Sequence, residues 1–252
     1  MLAALLDILL PPRCAGCGEP GSQACPRCTA ELLRDPAPRR PDPPPPGLPE
    51  CWSATTYDGA ARRMILACKE RGRTALVPVL GACLAEAAVS ALGPGEGPVL
   101  LVPVPSARPA TRRRGHDPIR AMAAAAAREL CGRGRPAVLA PALRQARRVA
   151  DQVGLSSAQR AANLAGALEA VPGAAALLRP PHAAVTPVPA RSPRPEAGVP
   201  EKVAVVLVDD IVTTGTTLAE AARVIRAAGA EATLAVTVAA TRRRSATRRR
   251  SQ

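Results

Sequence analysis

Apolar positions along the chain fall into runs of different period. Residues 98–105 (PVLLVPVP) and 205–208 (VVLV) are apolar without alternation, bounded by proline on one side and by acids and a Gly-Thr turn on the other. Short continuous runs of this kind predict strands buried on both faces, the sort that belong inside a parallel sheet. Residues 51–57 (CWSATTY) predict another strand, broken by Gly59, and residues 232–239 a last one. Between them lie helical spacings: residues 60–71, which carry Lys69 to a C-terminal end, then 75–92, about 119–130, and the run after Thr217 to Ala230. Strands alternating with helices predict an α/β fold with a parallel sheet flanked by helices.

The remaining stretches lack such periods. Residues 1–10 (MLAALLDILL) predict a short amphipathic helix packed on the body: no basic region precedes the apolar run, Asp7 interrupts it, and Pro11-Pro12 ends it, which argues against an export signal. Residues 35–49 are dominated by proline and predict a stiff, extended linker with neither helix nor interior strand. Residues 143–163 predict a partly helical segment. Residues 171–200 predict a second proline-rich insertion, disordered at the surface. The expected organisation is therefore a helix and cysteine module at 1–34, a linker at 35–50, a catalytic body at 51–240 with an insertion at about 171–200, and a flexible basic tail at 241–252. No run is read as long enough to span a membrane. The protein is expected in the cytoplasm, with its eight cysteines reduced.

Composition changes this picture in two ways. The chain of 252 residues is 47% apolar but has no Phe, and its only other aromatics are Trp52 and Tyr57, so the core must be built from Ala, Val and Leu. The formal net charge of +14 points to phosphate-rich ligands or a polyanionic partner. Six arginines in the tail supply only part of that charge, so the body is itself basic.

Candidate chemistry concentrates at three places. Cys14 and Cys17, then Cys25 and Cys28, form two CxxC knuckles separated by seven residues. Each knuckle presents two thiolates to one ion, and together they complete a tetrahedral Zn2+ site able to fold a segment with almost no core. After the strand at 205–208 come Asp209 and Asp210, then Thr213, Thr214, Gly215, Thr216 and Thr217 at the start of a helix. Backbone N–H groups, hydroxyls and the positive end of that helix make a cradle for a phosphate, while the two acids can accept hydrogen bonds from vicinal hydroxyls or help bind a divalent metal through water. The expected ligand is a sugar 5-phosphate. Neither a GxxxxGK[ST] loop nor a GxGxxG fingerprint is present. Third, Arg108, Arg112, Arg113, Arg114 and Gly115 follow the strand at 98–105, where an arginine-rich loop can handle phosphate.

The apolar strand, two acids and Thr-Gly-Thr turn resemble the type I phosphoribosyltransferases. The resemblance implies that Asp209 and Asp210 contact ribose hydroxyls of phosphoribosyl pyrophosphate (PRPP), that Thr213, Thr214, Gly215, Thr216 and Thr217 bind its 5-phosphate, and that Mg2+ accompanies the pyrophosphate. It narrows to the ComF family of competence-associated proteins, a zinc ribbon fused to a phosphoribosyltransferase domain. The stretches carrying it are Pro12-Arg13-Cys14-Ala-Gly-Cys17, Tyr57-Asp-Gly59 through Lys69-Glu-Arg-Gly72, Val102-Pro-Val-Pro105 with Arg114-Gly115, and Gln152, Arg160 and Asn163. By this resemblance Val104 and Pro105 lie in the pyrophosphate-side loop, with Arg113, Arg114 and Lys69 as counter-charges, and Lys69, Arg114, Asp209 and Asp210 are the catalytic candidates. The chain departs from the family where His116, Asp117 and Pro118 follow the Arg-Gly pair, and where Glu70 follows the lysine in place of an aromatic. A lone Cys51 behind the proline stretch, in place of further CxxC pairs, implies a single zinc. Implied partners are single-stranded DNA and a competence helicase. A salvage enzyme needs a base pocket with a stacking surface, which the scarcity of aromatics disfavours. The other alternative is a non-catalytic adaptor that senses PRPP.

Overall fold

The computed structural model describes residues 11–94, 97–106, 117–147, 163–179 and 203–241. A cysteine-bearing turn leads into α1 (Pro26–Leu33), which opens with proline in its first turn, where the missing N–H is not needed. Then come β1 (Ala37–Pro38), β2 (Cys51–Thr56), α2 (Gly59–Glu70), a 3-10 turn (Thr74–Leu76) continuing into α3 (Val77–Leu92), β3 (Val99–Pro103), α4 (Pro118–Gly132) and β4 (Ala137–Leu139). After β5 (Leu143–Gln145), β6 (Leu168–Ala170) and the short α5 (Ala174–Leu177), the chain enters β7 (Ala204–Val212), α6 (Thr216–Ala227) and β8 (Leu234–Ala240).

Six strands form one sheet in the order β1-β2-β8-β7-β3-β4, parallel throughout except for β1 at the edge. β8, later in the chain than every other described strand, lies inside the sheet between β2 and β7. β5 and β6 make a separate antiparallel pair. The fold is the expected α/β type, with a mainly parallel sheet covered by helices on both faces.

Alternation along β7 sends Val206 and Val208 toward α2, α3 and α4, and Val205 and Leu207 toward α6. With no Phe to fill space, the core closes by bringing backbones together. Gly81 of α3 shows how near: a Cβ there would lie 2.5 Å from the Cβ of Ala125 and 3.0 Å from the carbonyl oxygen of Met122, both on α4. One polar pair is sealed into the sheet, where the hydroxyls of Ser53 and Thr237, both fully buried, lie 2.7 Å apart across β2 and β8.

The structure refines four expectations. Residues 35–50 are extended but do not hang free: Ala37 and Pro38 pair with Ser53 and Trp52, Arg39 N–H donates to the Cys51 carbonyl, and Leu48 is buried. Proline is tolerated there because β1 is an edge strand. Residues 143–145, at the start of the segment expected to be partly helical, form a strand that pairs with 168–170, residues 163 and 164 are helical, and 148–162 lie outside the described residues. The insertion expected from residue 171 begins as ordered chain, with α5 anchored by buried Ala174 and Leu178. Finally, Thr74–Leu92 is long and apolar enough to cross a membrane by length and hydropathy alone. Here it serves as a core helix, with Leu80, Leu84, Ala85 and Ala88 buried in the main cluster. The expected helix at 1–10, residues 180–200 and the tail beyond Thr241 lie outside the described residues.

Candidate functional site

Two centres emerge. In the first, the thiol sulfurs of Cys14, Cys17, Cys25 and Cys28 all lie within 4.8 Å of one another, and those of Cys17 and Cys25 are 3.6 Å apart. A tetrahedral ion with Zn–S bonds of about 2.3 Å needs sulfurs separated by about 3.8 Å, so the donor set fits one Zn2+. Backbone amides already face the sulfurs: Cys25 N–H donates to Cys14 Sγ at 3.3 Å and Cys28 N–H to Cys25 Sγ at 3.5 Å. Burial opposes ionisation of Cys14, yet donors led by the Cys25 amide hold its thiol down at about 6. Gly16 is required sterically, because a Cβ there would come within 2.7 Å of Cys28 Sγ and 3.2 Å of the Ala60 Cβ. The module therefore sits directly on α2, where Arg63 also donates to the Gly16 carbonyl. Arg73, just beyond α2, donates to the Gln23 side chain at 2.7 Å and to the Arg13 carbonyl.

The second centre is the carboxyl end of β7, the edge at which open α/β sheets hold ligands. Asp209 and Asp210 end the buried run and point to opposite faces of the strand. Asp210 is 3% exposed and accepts a hydrogen bond from Lys69 Nζ at 2.5 Å, delivered by the last turn of α2. Asp209 accepts from the Asp210 amide at 2.8 Å. Burial, followed by the adjacent Asp210 carboxylate, raises the Asp209 carboxyl well above the usual range, with Lys69 pulling the other way.

Beyond the acids the chain turns through 213–215 into α6. Gly215 takes φ +73°, a left-handed conformation that suits glycine, and no side chain caps the helix behind it. The first amides of α6 thus keep the unsatisfied donors that attract an anion to a helix start. Thr213 is exposed, Thr214 and Thr217 are half-buried, and the buried Thr216 shares a hydrogen bond of 2.9 Å with the Thr214 hydroxyl. Farther along α6, the nearly buried Glu220 accepts from the Gly166 amide at 2.9 Å and from Arg223, which fixes the helix against the β5–β6 unit.

The loop leaving β3 lies beside this ledge. Val104 N–H donates to the Val208 carbonyl at 2.9 Å, so Val104 and Pro105 reach the same sheet edge on the β3 flank of β7. Arg108, Arg112, Arg113, Arg114, Gly115 and His116 lie outside the described residues, as do Gln152 and Arg160. Lys69, Asp209, Asp210, Val104, Pro105 and the residues 213–217 therefore gather at one edge, and Lys69 enters as the partner of Asp210.

The proline stretch supplies what sequence reasoning missed. It folds as a strap over the glycine of the 213–217 turn: a Cβ on Gly215 would meet Leu48 Cδ2 at 2.8 Å and Pro41 Cγ at 3.1 Å. On the β8 flank of β7, the strap walls a cavity of about 310 Å3, lined by Arg39, Arg40 and Pro41 from the strap and by Thr56, Val212, Thr213, Ala240 and Thr241 from the strand ends. Arg39 is fixed by its bonds to Asp35 Oδ2 (2.6 Å) and to the Thr55 carbonyl (3.3 Å). A run so rich in proline hides two arginines whose place is set by strand pairing, and no local pattern signals it.

Comparison with curated proteins gives no match. Residues 120–251 match the family model of the phosphoribosyl transferase domain. That match runs through α4, β7 with the acid pair, the 213–217 turn and β8, while Lys69 and the Val104–Pro105 loop of the second centre lie before it. Since it spans more than half of the chain, the protein belongs to the phosphoribosyl transferase domain family.

Proposed function

We propose that the carboxyl end of β7 binds PRPP, with Asp209 and Asp210 toward the ribose hydroxyls and residues 213–217 around the 5-phosphate. The observation that supports this most is the ledge itself: two acids, a left-handed Gly215 and the uncapped start of α6 follow one another within a few residues. The pyrophosphate then faces Val104 and Pro105, with Arg113 and Arg114 as the counter-charges. Lys69 acts behind the ribose by holding the Asp210 side chain in place.

Asp209, the more exposed of the two acids, is the carboxylate available to Mg2+ arriving with the pyrophosphate, while Asp210 stays buried against Lys69. That ion supplies neutralisation of the leaving group. During transfer the C1–O bond to pyrophosphate breaks, the electron pair leaves with it, and a lone pair of the acceptor forms the new bond to C1. The protein's own part is to orient the sugar, exclude water and hold the departing charge.

The four-cysteine module beside this domain supports a ComF-like reading, and with it a role in handling incoming single-stranded DNA during competence. The basic charge supplies the attraction to phosphates.

Calorimetry with PRPP and Mg2+ tests the ligand assignment. Wild type should bind, and Asp209→Ala or Asp210→Ala should each weaken affinity by about tenfold or more, the scale of losing a hydrogen bond to a charged group. Absence of heat with the wild-type protein would overturn it.

A further inference from the structure

The proposed PRPP ledge has two flanks. On the β3 side stand Val104 and Pro105; on the β8 side lies the cavity under the strap. A substitution at C1 in which the nucleophile enters opposite the departing group needs two such compartments, and the cavity is placed to be the second. Its lining is unusual for a pocket that would hold a neutral ring. No aromatic residue and no carboxylate lines it, while Arg39, Arg40, Thr56 and Thr241 do, together with Thr213, which it shares with the proposed 5-phosphate cradle. Stacking and carboxylate recognition of amino groups are therefore both missing from its chemistry. Its volume suits one small molecule.

The two arginines differ in what they have left to give. Arg39 is held by Asp35 and the Thr55 carbonyl, so it acts as a fixed wall. Arg40 is exposed, forms no ion pair among the described residues, and carries a planar fork of donors that matches a carboxylate or phosphate. We propose that this cavity is the acceptor pocket, selective for a small anionic acceptor whose carboxylate or phosphate monoester is bound by Arg40. The acceptor's nucleophilic nitrogen or oxygen then faces the ribose, and any proton it carried passes to water as the new bond forms. The inference rests on the PRPP assignment above and adds to it the charge class of the second substrate.

The test uses the full-length, zinc-loaded protein. PRPP binding is measured first, because its absence defeats the ligand assignment as well as this inference. With PRPP and Mg2+ bound, matched probes are then titrated: nicotinate against nicotinamide for the carboxylate arm, and phenyl phosphate against phenol for the phosphate arm. In at least one arm the acid should bind about tenfold more tightly than its neutral partner, the worth of one charge-assisted contact. Arg40→Ala should bring that pair to parity while leaving PRPP affinity within about twofold, and Arg40→Lys should restore part of the preference. If PRPP binds but neither arm favours its acid, or the preference survives Arg40→Ala, the cavity is not an anion pocket, and the PRPP reading stands without it.

Discussion

Asp209 shows what it costs to end a buried strand in a carboxylate. Burial and the Asp210 charge raise its folded-state value well above the ordinary one, so at pH values between the two the native protein holds a proton there that the unfolded chain has released. The folded state binds more protons, hence stability falls as pH rises from the ordinary carboxylate range up through the raised value. Asp209→Asn should therefore remove that fall and melt higher than wild type at neutral pH, while PRPP affinity drops. Thermal scans from acid to neutral pH check both, and a variant that melts lower at neutral pH would show that the carboxylate is stabilised by its surroundings. At this scale the sequence was informative wherever chemistry travels with local spacing: the four cysteines and the two acids stand in recognisable strings. It was silent where the partner lies far away. Lys69 could be singled out from its own neighbourhood, but its contact with Asp210 joins positions 141 residues apart. Arg40 carries no local mark at all.

Among the elements, legibility followed length and hydrophobicity. β3, the first half of β7 and, apart from Thr237, β8 are apolar runs and were readable as buried strands, because a sheet covered on both faces needs no alternation. β4, β5 and β6 have three residues each, too few for any period, and β5 carries an arginine and a glutamine that suit a helix equally well. α3 and α4 were readable as helices, but not as a pair in close contact; that follows from the missing Phe and from Gly81. Gly81→Val should cost about 2 kcal/mol or more, since the added atoms meet the Ala125 side chain and the α4 backbone with no room to turn away. Urea unfolding measures this, and a cost near zero would mean that the two helices can separate without loss. The strap is the clearest lesson in context. Its prolines correctly exclude helix and interior strand, yet the same extended backbone that makes a linker also makes an edge strand once β2 offers it partners.

For the molecule as a whole, the four-cysteine module is part of the structural support for the site. It lies on α2 through Gly16, Arg63 and Arg73, and α2 ends in the lysine that meets Asp210. Metal analysis should find about one zinc per chain. Its removal by chelation or Cys14→Ser should lower the melting temperature and release amide protection in α2 as well as in the module. Hydrogen exchange reads this directly, and unchanged protection across α2 would show that the two parts are independent. The sheet order has a consequence for how such a chain is born. β8 is made after every other described strand, yet it fills the gap between β2 and β7. While a ribosome is still extending the chain, β2 with its strap and β7 with its acids have no shared neighbour, and Leu48 must wait for a glycine encoded far downstream. The ledge at the end of β7 and the cavity beside it therefore come into being together, once β8 has been made and has inserted between its neighbours.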